Sequence, residues 1–237
     1  MVFAIEQLRP FEQQCRSDTQ CFLASAPDDL TGALRAFDEV FRRMYLFSCC
    51  NWGCHGKEHV FEYLAGRVVS NLASAWQLAE TGYYDESLSL VRSVGEIANL
   101  LNLLWRDDQE IRTWLDSEER EHRKRYAPAA VRARLRKLRC LVPFDDDHYG
   151  RLCQLAIHPT PKTRPNAHQD SRQPVVGAVF QPIGFELTAW EMSWALASVA
   201  GPIAKLAIFP EVEARAMVGG AIELLEVAAR HIPEQCG

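Results

Sequence analysis

Long apolar runs are missing from this chain. A helix that crosses a bilayer needs about 18 or more consecutive, mostly apolar residues. The closest stretch, 187–209, is interrupted by Glu191, Lys205 and a Gly201-Pro202 pair. We read it as a buried helix and expect no membrane span. The opening residues, MVFAIEQLRP, lack the basic start and apolar middle of an export signal. The expected setting is therefore the cytoplasm, with the eight cysteines as reduced thiols or metal ligands. Also missing are the glycine-rich phosphate loops of nucleotide enzymes, the HExxH helix and the GxSxG elbow. Their absence disfavours a nucleotide-driven motor, a dinucleotide-dependent dehydrogenase, a zinc protease of the usual kind and an α/β-hydrolase.

Strand patterns are scarce too. Only PVVGAVF at 174–180 alternates even briefly, and there is no internal repeat or low-complexity tract. What the chain does have is helical periodicity. Hydrophobic residues make up 48% and charged residues 24% of its 237 positions, a balance that permits a sizeable core. Leu30, Leu34, Phe37, Phe41, Met44 and Phe47 recur at three or four residues. A turn-rich interruption, SCCNWGCHG at 48–56, precedes a helix over 57–80, and Gly82 suits the left-handed position just past its end. The most strongly helical stretch, 83–107, follows after a short link, so these two helices should form an antiparallel hairpin. A solvated helix is expected over 108–126 and another from Pro128 to about Leu141, which Pro143 closes. The run DDDHYGRLCQLAI at 145–157 opens with acids suited to a helix N-terminus. A loop over 159–182 is long enough to be a lid or an arm. Thr188 and Glu191 have the spacing of a capping box, Gly201-Pro202 should kink or split the helix that follows, and a last helix covers about 210–231. The expected fold is all-α, a bundle of about seven to nine helices. Residues 1–56 supply N-terminal helices that pack on a bundle formed by 57–237, as one continuous globular unit.

Four constellations can carry chemistry. Arg151 and His158 stand seven positions apart, nearly two turns of helix, and so share a face. An arginine holds phosphate bidentately and a histidine moves protons near neutral pH. Together they suit cleavage of RNA by its own 2′-hydroxyl; the structural alternative pairs Arg151 with an aspartate of 145–147 and uses His158 to cap a helix. Next, Arg92, Glu96 and Asn99 line one face of the 83–107 helix, as Arg67, Asn71 and Ser74 line one face of its neighbour. Facing each other, the stripes would make an anion pocket; otherwise Arg92 and Glu96 satisfy one another in a buried network. Third, Cys50, Cys54, His55 and His59 are zinc-type ligands at spacings of four, one and four, and beyond the core set of Cys50, Cys54 and His59 a fourth would come from Cys49, Cys140 or Cys153, although buried cysteine is also an ordinary small hydrophobe. Fourth, the net charge of −5 is unevenly spread: 120–139 holds nine basic residues against one acid, giving +8 there and −13 elsewhere. Arg132, Arg136, Lys137 and Arg139, with Lys162 and Arg164 in the long loop, form a candidate surface for nucleic acid or an acidic protein.

An arginine followed within two turns by a histidine near the end of a late helix resembles the signature of the HEPN superfamily. The hairpin reads Gly82-Tyr83-Tyr84-Asp85-Glu86 through Asn99-Leu100-Leu101, followed by Tyr149 through His158-Pro159. This resembles bacterial helical families allied to HEPN, with the pattern GxYDExLxLxRxxGExxNLL and then YxxLxxxxHP, over roughly residues 50 to 210. The resemblance implies an all-α, often homodimeric protein of bacterial defence or toxin type. It also implies metal-independent ribonuclease chemistry, with His158 moving the proton, Arg151 stabilising the phosphorane, and Arg92, Glu96 and Asn99 in support. Leu152 stands where nuclease members carry a polar residue. The competing expectations are a non-catalytic interaction subunit that binds a protein partner or a small anion, and a zinc-stabilised structural protein.

Overall fold

Residues 84–104 contain no proline, are rich in leucine, and place apolar side chains on nearly every side. They form α4 (Tyr84–Leu104), around which the bundle is arranged. The structure, a computed structural model, describes residues 3–56, 59–106, 108–158 and 177–232. A short 3-10 turn (Ala4–Leu8) leads into α1 (Arg9–Ala24), α2 (Asp28–Ser48) and α3 (Val60–Glu80). After α4 come α5 (Asp108–Asp116), α6 (Glu119–Tyr126), α7 (Pro128–Lys137), α8 (Asp146–Ala156), α9 (Pro182–Leu206) and α10 (Glu211–His231). There is no strand among the described residues, and no helix there is long and apolar enough to cross a membrane. The fold is an all-α bundle, as the periodicity implies. PVVGAVF makes no strand in its described part, residues 177–180. Most of the expected 159–182 loop, including Lys162 and Arg164, lies outside the described residues.

Helix α4 lies against α3, α7, α8 and α9, and α9 lies in turn against α2, α3 and α10. One hydrophobic cluster joins Leu30 and Met44 of α2, Leu72 of α3, Leu88 and Leu101 of α4, Leu196 of α9 and Leu224 of α10. Fully burying such a side chain stabilises the fold by about 1.5–3 kcal/mol. Polar contacts then fix how the helices meet. The Ser87 hydroxyl donates to the Ala75 carbonyl at 2.7 Å and locks the α3–α4 hairpin. Gly82 turns the chain there with φ +81°, and the Val179 backbone sits where a Cβ would be. Asn99 grips the turn before α8 from both sides, donating to the Phe144 carbonyl at 2.7 Å and accepting from the Phe144 amide at 3.2 Å.

Two local expectations are corrected, and a third loses one of its two alternatives. The segment 108–126 is two short helices, because extended backbone at Glu118 (φ −63°, ψ 154°) breaks it before α6. Thr188 and Glu191 form no cap, since α9 starts six residues earlier at Pro182. Thr188 Oγ1 instead donates to the Gly184 carbonyl at 2.8 Å, and Glu191 is wholly buried. Nor does Gly201-Pro202 split α9, which runs on to Leu206. A proline inside a helix removes the bond to the carbonyl four residues back and costs about 3 kcal/mol. Here that carbonyl belongs to Ser198, and Asn102 Nδ2 of α4 donates to it at 3.2 Å. A neighbouring side chain replaces the bond that proline removes.

Gly95 is where Phe144 enters against α4: an added Cβ would meet the ring at 2.6 Å, and the ring is fully buried. Gly95→Ala should destabilise the protein by about 1–3 kcal/mol through overpacking. Urea unfolding would register this as a lower midpoint with an unchanged slope; an unchanged midpoint would mean that the ring moves aside freely.

Candidate functional site

Helix α8 begins with local chemistry that the sequence makes plain. Asp145 is the N-cap, and its Oδ1 accepts from the His148 amide at 2.8 Å. From that fixed start, α8 buries His148, Leu152 and Cys153. Three polar clusters then tie it to three neighbouring helices.

The deepest joins α8 to α9. Glu191 is fully buried, with His148 Nε2 at 2.6 Å from its Oε2 and Arg151 Nη2 at 2.8 Å from its Oε1. The arginine contact is a close ion pair whose angle falls outside good hydrogen-bond geometry. His148 also stacks on Phe144, with ring centres 4.5 Å apart, and Trp194 Nε1 donates to the Pro143 carbonyl at 2.9 Å. A wholly buried carboxylate is tolerated only with such partners.

The second cluster joins α8 to α4. Arg92 donates to Glu96 Oε1 at 2.9 Å and to the Tyr149 hydroxyl, which itself donates to Glu96 at 3.0 Å. Burial, followed by hydrogen bonding to Glu96, pushes the Tyr149 hydroxyl pKa up. The third joins α8 to α7. Arg132, nearly buried, donates to Asp146 Oδ1 at 2.6 Å, and Arg136 binds the other oxygen. These hydrogen bonds from Arg132 and Arg136 hold the Asp146 carboxyl below its ordinary range. Arg132 also lies over the Tyr149 ring at 4.2 Å, so the second and third clusters meet on one tyrosine.

The structure therefore brings Arg92, Glu96, Arg132, Arg136 and Arg151 to one helix, with Asn99 holding the turn in front of it. Arg151 pairs with Glu191 rather than with an aspartate of 145–147, because Asp145 caps α8 and Asp146 is taken by α7. His158 is exposed just beyond the end of α8, where its amide donates to the Cys153 carbonyl at 2.8 Å. The two polar stripes do not face each other. On α3 the buried positions include Ala65, Val68, Leu72, Ala75 and Ala79, which turns Arg67 and Ser74 outward and leaves Asn71 half-buried. Two residues of the site escaped sequence reasoning, His148 and Glu191. The signal was there: Glu191 is the one acid of the apolar run 187–209, and a buried acid requires a cation.

The basic block is less exposed as charge than its composition implies. Arg123 pairs with Glu119, Arg125 and Arg134 with Glu110, and Arg132 and Arg136 with Asp146. Arg120, Lys124, Lys137 and Arg139 are exposed. Away from α8, Cys50, Cys54 and His59 do come together in the turn between α2 and α3, their donor atoms all within 4.8 Å of one another. Cys140 and Cys153 belong elsewhere, the first against a small cluster of Leu103, Tyr126, Val131 and Leu135 and the second beside Arg92.

Two outcomes follow for stability. Removing Glu191 leaves Arg151 and His148 without their shared acceptor, so Glu191→Ala should cost about 3–5 kcal/mol, measured by chemical unfolding; a loss comparable to a surface substitution would show that the pair is not buried in solution. Glu110 is raised by burial but more strongly lowered by bonds from Arg134, Tyr126 and Arg125, which hold its pKa at about 2 against an ordinary 4.5. A depressed carboxyl contributes stability that is full above 4.5 and lost as pH falls through about 2. Glu110→Gln should thus flatten the acid loss of stability between about pH 5 and about pH 2, read from unfolding midpoints across that range.

Comparison of the chain with protein-family models, with curated proteins and with solved structures returns no match.

Proposed function

We propose that this is a HEPN-like cytoplasmic protein of bacterial defence or toxin type that binds RNA and cleaves it without metal at the end of α8. The observation that carries the reading is the setting of Arg151. Its guanidinium is held by the buried Glu191, yet its side chain remains about a quarter exposed, at 26%, on the helix that ends beside the exposed His158. A cation fixed from behind and open in front is suited to a phosphate whose charge grows in the transition state. In the reaction the 2′-oxygen attacks the adjacent phosphorus and the bond to the next nucleotide's 5′-oxygen breaks. The products are a 2′,3′-cyclic phosphate and a 5′-hydroxyl. One His158 takes the 2′-hydroxyl proton; in a homodimer, the same residue of a second copy gives a proton to the leaving oxygen. Arg92, Glu96 and Tyr149 hold α8 in place.

A second reading, a non-catalytic module for an acidic protein or small anion, draws support from the basic block. Five of its nine cations are engaged within the chain. What remains outward and without an ion-pair partner among the described residues is Arg120, Lys124, Lys137 and Arg139, four cations rather than nine. A third reading concerns zinc, whose preference for thiolate and imidazole suits the Cys50, Cys54 and His59 group as a structural ion outside the RNA centre.

With chelator present, purified protein should cleave RNA to cyclic-phosphate ends. His158→Ala should lower the rate by about 10²–10⁴-fold while leaving the fold intact by circular dichroism. Cleavage that persists undiminished in His158→Ala, or no cleavage by the native chain, sinks the ribonuclease reading. In the latter case, capture of an acidic partner that is lost on reversing Lys137 and Arg139 would favour the module.

A further inference from the structure

The turn between α2 and α3 is built in an unusual way. Cys50 and His59 both adopt left-handed backbone, at φ 56° and 51°, and the glycines between them, Gly53 and Gly56, are positive as well. For residues other than glycine this conformation costs about 1–2 kcal/mol each. It persists only where surrounding structure enforces it. Apolar packing anchors the turn at Trp52 and His55, while Asn51, Gly53, Cys54 and Gly56 are exposed. Among the described residues, the turn's backbone bonds include the Cys50 amide donating to the Phe47 carbonyl at 2.9 Å, Asn51 to the Leu46 carbonyl at 3.0 Å and Gly53 to the Cys50 carbonyl at 3.1 Å. What the conformation achieves is to bring both ends of the turn together at their side chains. Cys50 Sγ lies 3.3 Å from His59 Nδ1, with Cys54 Sγ completing the group.

We infer that Cys50, Cys54 and His59 form a binding site for a single Zn²⁺ that clamps the α2–α3 turn. Tetrahedral zinc with ordinary bond lengths sets sulfurs about 3.8 Å apart and sulfur and nitrogen about 3.6 Å apart. A group whose donors lie within 4.8 Å needs only small side-chain movement to meet this. A second, independent feature is Glu62. Its carboxylate, 2% exposed in the first turn of α3, accepts from the His55 amide through Oε1, while Oε2 has no hydrogen-bond partner among the described residues. Its partner His55 directly follows Cys54 in the chain. A buried carboxylate beside the group calls for a nearby cation. Glu62 stands outside the set of donors and would hold the turn from beneath through His55. On binding, Cys50 and Cys54 each release a proton, and His59 stays neutral and ligates through Nδ1. Two thiolates then balance the ion's charge, and the fourth position is left to water. The clamp reaches beyond the turn, because Trp52 within it packs on Phe209, ring centres 4.9 Å apart, just ahead of α10.

This inference extends the zinc reading and is independent of the RNA reading, so loss of either leaves the other standing. Protein loaded with zinc and desalted should hold one equivalent by elemental analysis. Cobalt in its place should give thiolate charge-transfer and tetrahedral d–d absorption. Cys54→Ser and His59→Asn should each fall to near zero, whereas Cys49→Ser should keep the full equivalent. A readout free of folding effects is alkylation of the native chain mapped by mass spectrometry: zinc should shield Cys50 and Cys54 and leave the exposed Cys21 reactive. No retained metal after loading, metal retained in both ligand variants, loss of metal in Cys49→Ser, or equal alkylation with and without zinc would each overturn the site.

Discussion

A carboxylate with no access to solvent sets the terms for much of this molecule. Glu191 sits in the middle of the most apolar helix, and its burial is tolerable only while His148 and Arg151 stand against its two oxygens. Both come from α8, so the requirement fixes which face α8 turns toward α9. Once that face is set, Tyr149 and Cys153 must turn toward α4, where Arg92 and Glu96 meet them. Asp146 at the start of α8 is then aimed at α7 and gathers Arg132 and Arg136. One helix of eleven residues is held by three polar contacts in three directions, each dependent on the orientation set by the deepest.

Apolar burial drives these helices together, but it is not directional. A bundle of leucine-faced helices leaves rotation and sliding weakly determined, and buried polar pairs remove that freedom. Asn99 and Asn102 show this most directly, one gripping both backbone groups of Phe144 and the other supplying the donor that Pro202 lacks. Each bond contributes only about 0.5–1.5 kcal/mol net. Their effect lies in the cost of any arrangement that would leave these groups unpaired. The residues that looked most like a pocket on α4 are thus first of all the means by which α8 is placed, and any chemistry belongs to the groups α8 then presents.

The charge of the protein follows the same logic. A block of nine cations reads as a polyanion surface, yet acids from α5, α6 and the start of α8 take five of them. Glu110 alone receives Arg125, Arg134 and Tyr126, which is why its carboxyl stays ionised far into acid. Composition counts charges, whereas function depends on which of them face outward.

The helices were legible in the sequence because their causes are local: spacing of three and four, acids at the start of α8, proline at the head of α7, and a glycine at 82 for the left-handed turn. The pairing of Arg92 with Glu96 was legible for the same reason, since residues four apart on a helix are neighbours whatever surrounds them. The nearness of Cys50, Cys54 and His59 follows from their closeness in the chain. What only the tertiary structure decided is every contact between residues far apart. Glu191 carries the spacing of a helix cap with Thr188, but its environment comes from a helix some forty positions earlier. Arg67 has the same local pattern as Arg92 and points to solvent, because the apolar face of α3 outweighs its polar stripe. Gly201-Pro202 has every local reason to break a helix and does not, because a side chain from α4 supplies the missing donor. In each case local propensity is worth about a kilocalorie or a few, and the burial of neighbouring helices sets the outcome.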